Sequence, residues 1–153
     1  MQTGIILNHI AFSEQSYSII KEVNRYCETS TDDVCIFVDN ISSRIMEPSC
    51  AVIDTGEIPT VINGVLIAFD IDTAESLLKA CTPAKKVLYL WDCSWIYKSV
   101  EFSKLYNLLS NEKITVILRS NNHKKILRNL GIEVNKVLEQ FNIGKLHEFC
   151  RTE

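Results

Sequence analysis

Two apolar runs in this sequence end on an aromatic residue followed by an aspartate, at Phe69-Asp70 and at Trp91-Asp92. The runs have the length and composition of buried parallel strands. The carboxyl ends of such strands meet at one edge of a sheet, where α/β proteins bind their ligands. We therefore expect Asp70 and Asp92 to lie at neighbouring strand ends, where a carboxylate can orient a bound hydroxyl or act as a base. The alternative is that each aspartate only caps loop amides.

Asn8 and His9 close the first predicted strand and are expected at the same edge. Asn8 is predicted to bind a ligand. His9 is a candidate for proton transfer, because an imidazole titrates near neutral pH. The alternative for His9 is a structural role, since the sequence identifies no partner for it.

Aromatic and helix-capping residues complete the candidate site. Trp91 and Trp95 are predicted to form a platform for a ligand or a partner protein, with core packing as the alternative. Ser120 and Asn121 precede a predicted helix, whose free N–H groups can bind an anion. Both residues also suit plain capping.

The composition is that of one globular domain over residues 1–153, with 46% hydrophobic and 23% charged residues. No apolar run approaches the roughly 20 residues of a membrane span, and no signal peptide is evident, so we expect a cytoplasmic protein. The net charge of −3 argues against nucleic acid as a partner. The six cysteines show no C-x-x-C spacing, so neither a metal site nor a disulfide framework is predicted, and no cofactor.

The hydrophobic periodicity predicts strands and helices in alternation. Strands are predicted at residues 4–10, 34–38, 50–53, 65–69, 87–91, 114–118 and 134–141. Helices are predicted at residues 14–28, 74–81, 99–109, 122–130 and 143–150. The first is predicted to be capped by Ser13 and the second by Asp72 or Thr73. Apolar stripes are predicted on the first helix, from Tyr17, Ile20, Val23 and Cys27, and on the third, from residues including Val100. This order predicts a Rossmann-like, three-layer α/β/α sandwich around a mostly parallel sheet.

Four segments in this order resemble the amino-terminal, acceptor-side domain of retaining GT-B-fold glycosyltransferases, over nearly the whole chain. F-D-I-D-T-A at 69–74 is similar to that family's H-D-x-x-T-A step, and L-W-D at 90–92 to its V-H-D step. Residues 118–127, followed by L-G-I at 130–132, resemble the family's strand, serine and helix. F-N-I-G-K-L-H-E-F at 141–149 resembles its N-G-V-D-x-x-x-F segment.

The resemblance implies an acceptor-binding half that takes a sugar or glycan and works with a donor-binding domain or another subunit. The family's glycine-rich turn after the first strand is absent from residues 8–13, and aromatic residues replace its histidines at Phe69 and Trp91. We expect no donor-binding domain within residues 1–153 and no sugar transfer by the chain alone.

Two alternatives stay open beside this interpretation. The first is a non-enzymatic structural or interaction module, such as a subunit of a viral or other assembly or a homo-oligomer, that reuses the fold. The second is a stand-alone nucleotide binder, which is disfavoured because neither a Walker loop nor G-x-G-x-x-G occurs.

Overall fold

A computed structural model of the protein describes residues 1–41, 46–97 and 99–151, apart from the side chains of residues 99–101. Residues 42–45, the side chain of Val100 and the chain end at Glu153 therefore lie outside the described residues. The strands are β1 (Gln2–Ile10), β2 (Asp33–Ile41), β3 (Ala51–Ile53), β4 (Gly64–Ala68), β5 (Lys85–Leu90), β6 (Ile114–Leu118) and β7 (Lys136–Val137). The helices are α1 (Glu14–Thr29), α2 (Ile71–Lys79), α3 (Ser99–Leu109), α4 (Asn121–Asn129) and α5 (Ile143–Arg151).

The strands form one sheet in the order β3-β2-β1-β4-β5-β6-β7, and every pairing among the described residues is parallel. Ile5 of β1 pairs with Ile36 of β2 on one side and with Ile67 of β4 on the other. The chain thus builds outward from β1 in one direction and then resumes at β4 in the other. Such a reversal leaves a crevice at the carboxyl ends of the two central strands.

Each central strand buries side chains on both of its faces. In β4 and the residue after it, Val65, Ile67 and Phe69 belong to one core cluster, while Leu66 and Ala68 belong to the other. Helices α1 and α5 cover the first cluster, and α2, α3 and α4 cover the second. This period-two burial explains the continuous apolar runs in the sequence, and the predicted three-layer α/β/α fold is confirmed. None of the helices in the described residues is both long and apolar enough to cross a membrane.

Some predicted boundaries were wrong. Helix α2 begins three residues early, at Ile71, because the Asp70 carboxylate caps it, and neither Asp72 nor Thr73 is the cap. Of the predicted strand at 134–141, only Lys136–Val137 pairs with the sheet. Helix α5 extends one residue beyond its predicted end, to Arg151. Tyr17 is exposed, since Ile19, Ile20 and Val23 supply the buried stripe of α1.

A buried polar network ties α5 to the amino edge of the sheet. The Nδ1 atom of His147 lies 3.2 Å from the Tyr26 hydroxyl, which donates a 2.6 Å hydrogen bond to Asp32. The Nε2 atom lies 3.0 Å from the Thr3 hydroxyl. Because the Tyr26 hydroxyl donates its proton to Asp32, its oxygen accepts a hydrogen bond from Nδ1–H of His147. The Nε2 atom then accepts a hydrogen bond from the Thr3 hydroxyl. A neutral imidazole therefore satisfies every contact, and burial lowers the pKa of His147 against the opposing effect of Asp32.

This network predicts a loss of stability in mild acid. The pKa of His147 is depressed in the folded state, so the unfolded state binds more protons as the pH falls below about 6.5. The free energy of unfolding should decline between about pH 7.5 and about pH 5.5 in urea titrations followed by circular dichroism. The variant His147→Gln, which cannot titrate, should show a shallower decline.

His9→Gln is the matched control, because His9 is exposed and stands apart from this network. It should keep the wild-type slope. Equal slopes for wild type and His147→Gln would show that another group governs the acid response.

Candidate functional site

The crevice at the strand-order reversal holds a side-chain hydrogen bond between the two central strands. Asn8, near the carboxyl end of β1, donates from Nδ2 to Asp70 Oδ2 at 3.0 Å. Asp70 lies two residues after the end of β4, and β1 and β4 are paired neighbours. The amide of Asn8 is therefore oriented by a carboxylate at the position where α/β folds bind ligands.

A pocket of about 170 Å³ opens beside this bond. Its walls include Asn8, Asp70, Asp92 and Trp95, four residues that the sequence singled out. The two aspartates thus share one pocket, as the strand pattern predicts. The remaining wall residues are Phe69, Ile71, Asp72, Leu90 and Ser94.

Each aspartate accepts its capping hydrogen bonds at one carboxylate oxygen, Oδ1. Asp70 accepts the Thr73 backbone N–H at Oδ1, 2.8 Å away, and keeps Oδ2 for Asn8. Asp92 accepts the Ser94 backbone N–H at 3.0 Å and the Ser94 hydroxyl at 2.8 Å, both at Oδ1. Its Oδ2 accepts no hydrogen bond from the side chains and backbone that the structure describes. The capping role is therefore present at both positions, and Asp92 keeps one oxygen, Oδ2, that no described group occupies.

The tryptophans are core residues rather than an exposed platform. Trp95 is only 3% exposed and packs against Phe102 of α3, with ring centroids 6.1 Å apart. Its indole nitrogen has no hydrogen-bond partner among the described residues. Trp91 is 8% exposed, and the Arg119 guanidinium lies 4.1 Å from the centre of its ring.

The other candidates lie away from this pocket. His9 is exposed beside Asn40 of β2 and does not line the pocket. Ser120 caps α4 by accepting the His123 backbone N–H at 3.2 Å, and Asn121 is the exposed first residue of that helix. For Ser120 the capping alternative describes what the structure shows.

Sequence reasoning missed two ionisable residues at this edge, Arg119 and His123. Arg119 is a charged residue directly after the apolar run of β6, just as Asp70 and Asp92 come directly after apolar runs. The pattern that indicated the two aspartates therefore also indicates Arg119. His123 lies in the first turn of α4, and its Nδ1 is buried without a partner among the described residues. Burial lowers the pKa of His123, and the nearby Asp92 carboxylate opposes that shift.

Comparison with known proteins gives no match to a family model, a curated protein or a solved structure. The resemblance to glycosyltransferases therefore stays a prediction. Among the described residues, no three His, Cys, Asp or Glu side chains are grouped as a metal ion would require. The chemistry of the site has to be argued from the pocket itself.

Burial predicts that Trp95 stabilises the fold. The variant Trp95→Ala removes a large side chain from the core between the sheet and α3, so the free energy of unfolding should fall by about 3–5 kcal/mol. Urea denaturation measures this change. Tyr97→Ala is the matched control, because Tyr97 is 91% exposed and should change stability by no more than about 0.5 kcal/mol. Similar small effects for both variants would contradict the placement of Trp95.

Proposed function

We propose that this chain is the acceptor-side domain of a glycosyltransferase and that the pocket beside Asn8 binds the hydroxyl groups of a neutral sugar. The observation that supports this most directly is the Asn8–Asp70 hydrogen bond at the strand-order reversal, with Asp92 in the same pocket. The amide has one N–H committed to Asp70. Its other N–H and its oxygen can serve a ligand.

The donor and acceptor pattern of the pocket suits a polyol. A hydroxyl group donates one hydrogen bond and accepts others, so it can bridge the Asn8 amide and the open Oδ2 of Asp92. Hydrogen bonds to ionised groups are also stronger than neutral ones. A sugar that donates to these carboxylates gains binding energy while its own atoms stay uncharged.

The charge of the pocket selects against phosphate. Asp70, Asp72 and Asp92 all line it, and no basic side chain among the described residues does. A phosphate there would face like charges in a partly desolvated pocket, which is unfavourable. A neutral, hydroxyl-rich acceptor fits this pocket better than a nucleotide.

The first turn of α1 offers no substitute phosphate site. Ser13 Oγ accepts the Ser16 backbone N–H at 3.1 Å, and the Ala11 N–H donates to Ser16 Oγ at 3.4 Å. No glycine occurs in this turn to let a phosphate approach the backbone. We infer that the sugar donor is bound by another domain or subunit and that this chain binds the acceptor.

Exposed aromatic residues favour a second candidate, a protein-interaction module. Phe12 follows β1 and is 80% exposed, and Tyr97 lies in the short 3₁₀ turn Ser94–Tyr97 after β5. Large aromatic side chains are enriched in protein interfaces. This candidate predicts association with a protein and no binding of sugars in the pocket.

Sugar binding should depend on the charge of Asp70. In Asp70→Asn the Oδ1 acceptor that caps α2 is kept, but the group facing Asn8 becomes a donor. Asn8 must then turn its amide over, which exchanges the donor and acceptor presented to the ligand. We expect affinity for neutral sugars to fall roughly ten- to hundredfold, the range for one charge-assisted hydrogen bond of about 1.5–3 kcal/mol.

Ligand-observed NMR with a panel of neutral monosaccharides and short glycans measures this effect. Asp33→Asn is the control, because Asp33 is exposed at the amino end of β2, on the opposite edge of the sheet. Asp33→Asn should bind as the wild type does. Unchanged binding in Asp70→Asn would remove the pocket from consideration, and a wild-type chain that binds no sugar would favour the interaction module.

A further inference from the structure

A second and larger pocket, of about 870 Å³, lies on the opposite face of the sheet. It is formed by α1, by the ends of β5 and β6 and by the segment that leads from β7 into α5. Its charged wall residues are four basic and two acidic side chains, namely Lys21, Arg25, Arg119, Lys145, Glu22 and Glu139. This pocket is basic where the first is acidic.

One of the basic groups is fixed as part of the fold. Arg25 donates from Nε and Nη2 to the two carboxylate oxygens of Glu22, at 2.7 and 2.8 Å. Glu22 is buried, and its Oε1 also accepts the backbone N–H of Ile143 at the start of α5. This pair joins α1 to α5 and balances the charge of Arg25, so Arg25 adds no net charge to the pocket.

The Arg119 guanidinium is held in place by an aromatic ring, but its ion pair with a carboxylate is exposed to solvent. Its guanidinium lies over the Trp91 ring, 4.1 Å from the ring centre, which limits its orientations. The hydrogen bond that the described residues give it runs from Nη2 to Glu14 Oε1 at 2.6 Å. The Glu14 side chain is 72% exposed, and ion pairs of that kind contribute little to stability. No other described side chain accepts a hydrogen bond from Arg119, so its remaining N–H groups can bind a second anion.

We propose that this pocket binds a small molecule through a phosphate group, with Arg119 as the main contact and Lys21 and Lys145 as supporting charges. Glu14 then acts as an internal anion that holds Arg119 until the ligand displaces it. The excess of two basic side chains matches a phosphate monoester, which carries close to two negative charges at neutral pH. The planar guanidinium can also bind two phosphate oxygens at once. This proposal does not depend on sugar binding in the other pocket.

The test is a titration of the full chain with inorganic phosphate and pyrophosphate at constant ionic strength, followed by the NMR signal of the Trp91 indole. Arg119→Gln should weaken binding at least about tenfold, because it removes the charged donor. Glu14→Gln should tighten binding about two- to fivefold, since the internal competitor loses its charge. A merely structural ion pair would not give this gain. Because Glu14 is exposed, its variant also remains informative if Arg119→Gln folds poorly.

Arg128→Gln is the control, because Arg128 is an exposed basic residue of α4 outside the pocket. It should leave the affinity unchanged. Citrate tests the alternative anion, and it should bind more weakly than pyrophosphate. The proposal is overturned if the wild type shows no saturable phosphate binding, if Arg119→Gln or Glu14→Gln binds as the wild type does, or if citrate binds equally well.

Discussion

The burial of β4 and β5 on both faces is the constraint on which the rest of this structure depends. A strand between two helical layers has no solvent-facing side, so polar side chains are excluded until the strand ends. Asp70 and Asp92 are the first polar residues after two such apolar runs, and Arg119 is the first residue after β6. These three charged groups are therefore gathered at one edge by the requirement to keep the strands apolar.

The same alternation distributes these groups between the two faces. Leu90 and Asp92 line the acidic pocket, whereas Trp91, between them in sequence, lines the basic one. Neighbouring residues of a strand point to opposite faces, so one strand end contributes to two pockets of opposite charge. The two ligands that we propose, a neutral polyol and a phosphate, are inferred from this division of charge.

The sequence was sufficient to predict the layers, because hydrophobic periodicity is a local property. Strand β6 was predicted to the residue, and α1 to within one residue of its end. The failures have physical causes. Segment 134–141 is apolar like a strand, yet Val134, Leu138 and Phe141 are buried around a β7 of only two residues. Tertiary packing, and not strand pairing, explains their apolar character.

The site was only partly predictable for a different reason. Shared position at one sheet edge follows from topology, so the meeting of Asn8, Asp70 and Asp92 could be anticipated. The pairing of Arg119 with Glu14 joins residues 105 positions apart, and no local pattern reports it. The burial of Trp95 likewise depends on where α3 packs against the 3₁₀ turn.

The register of β5 has a consequence for how this protein can vary. Tyr89 donates a hydrogen bond from the core to the Leu138 carbonyl at 2.7 Å, which joins β5 to the segment leading into α5. An insertion of a single residue into β5 would turn every following side chain to the other face. The Trp91 indole, which supports Arg119, and the Asp92 carboxylate would then exchange faces, and each pocket would lose one of its wall groups.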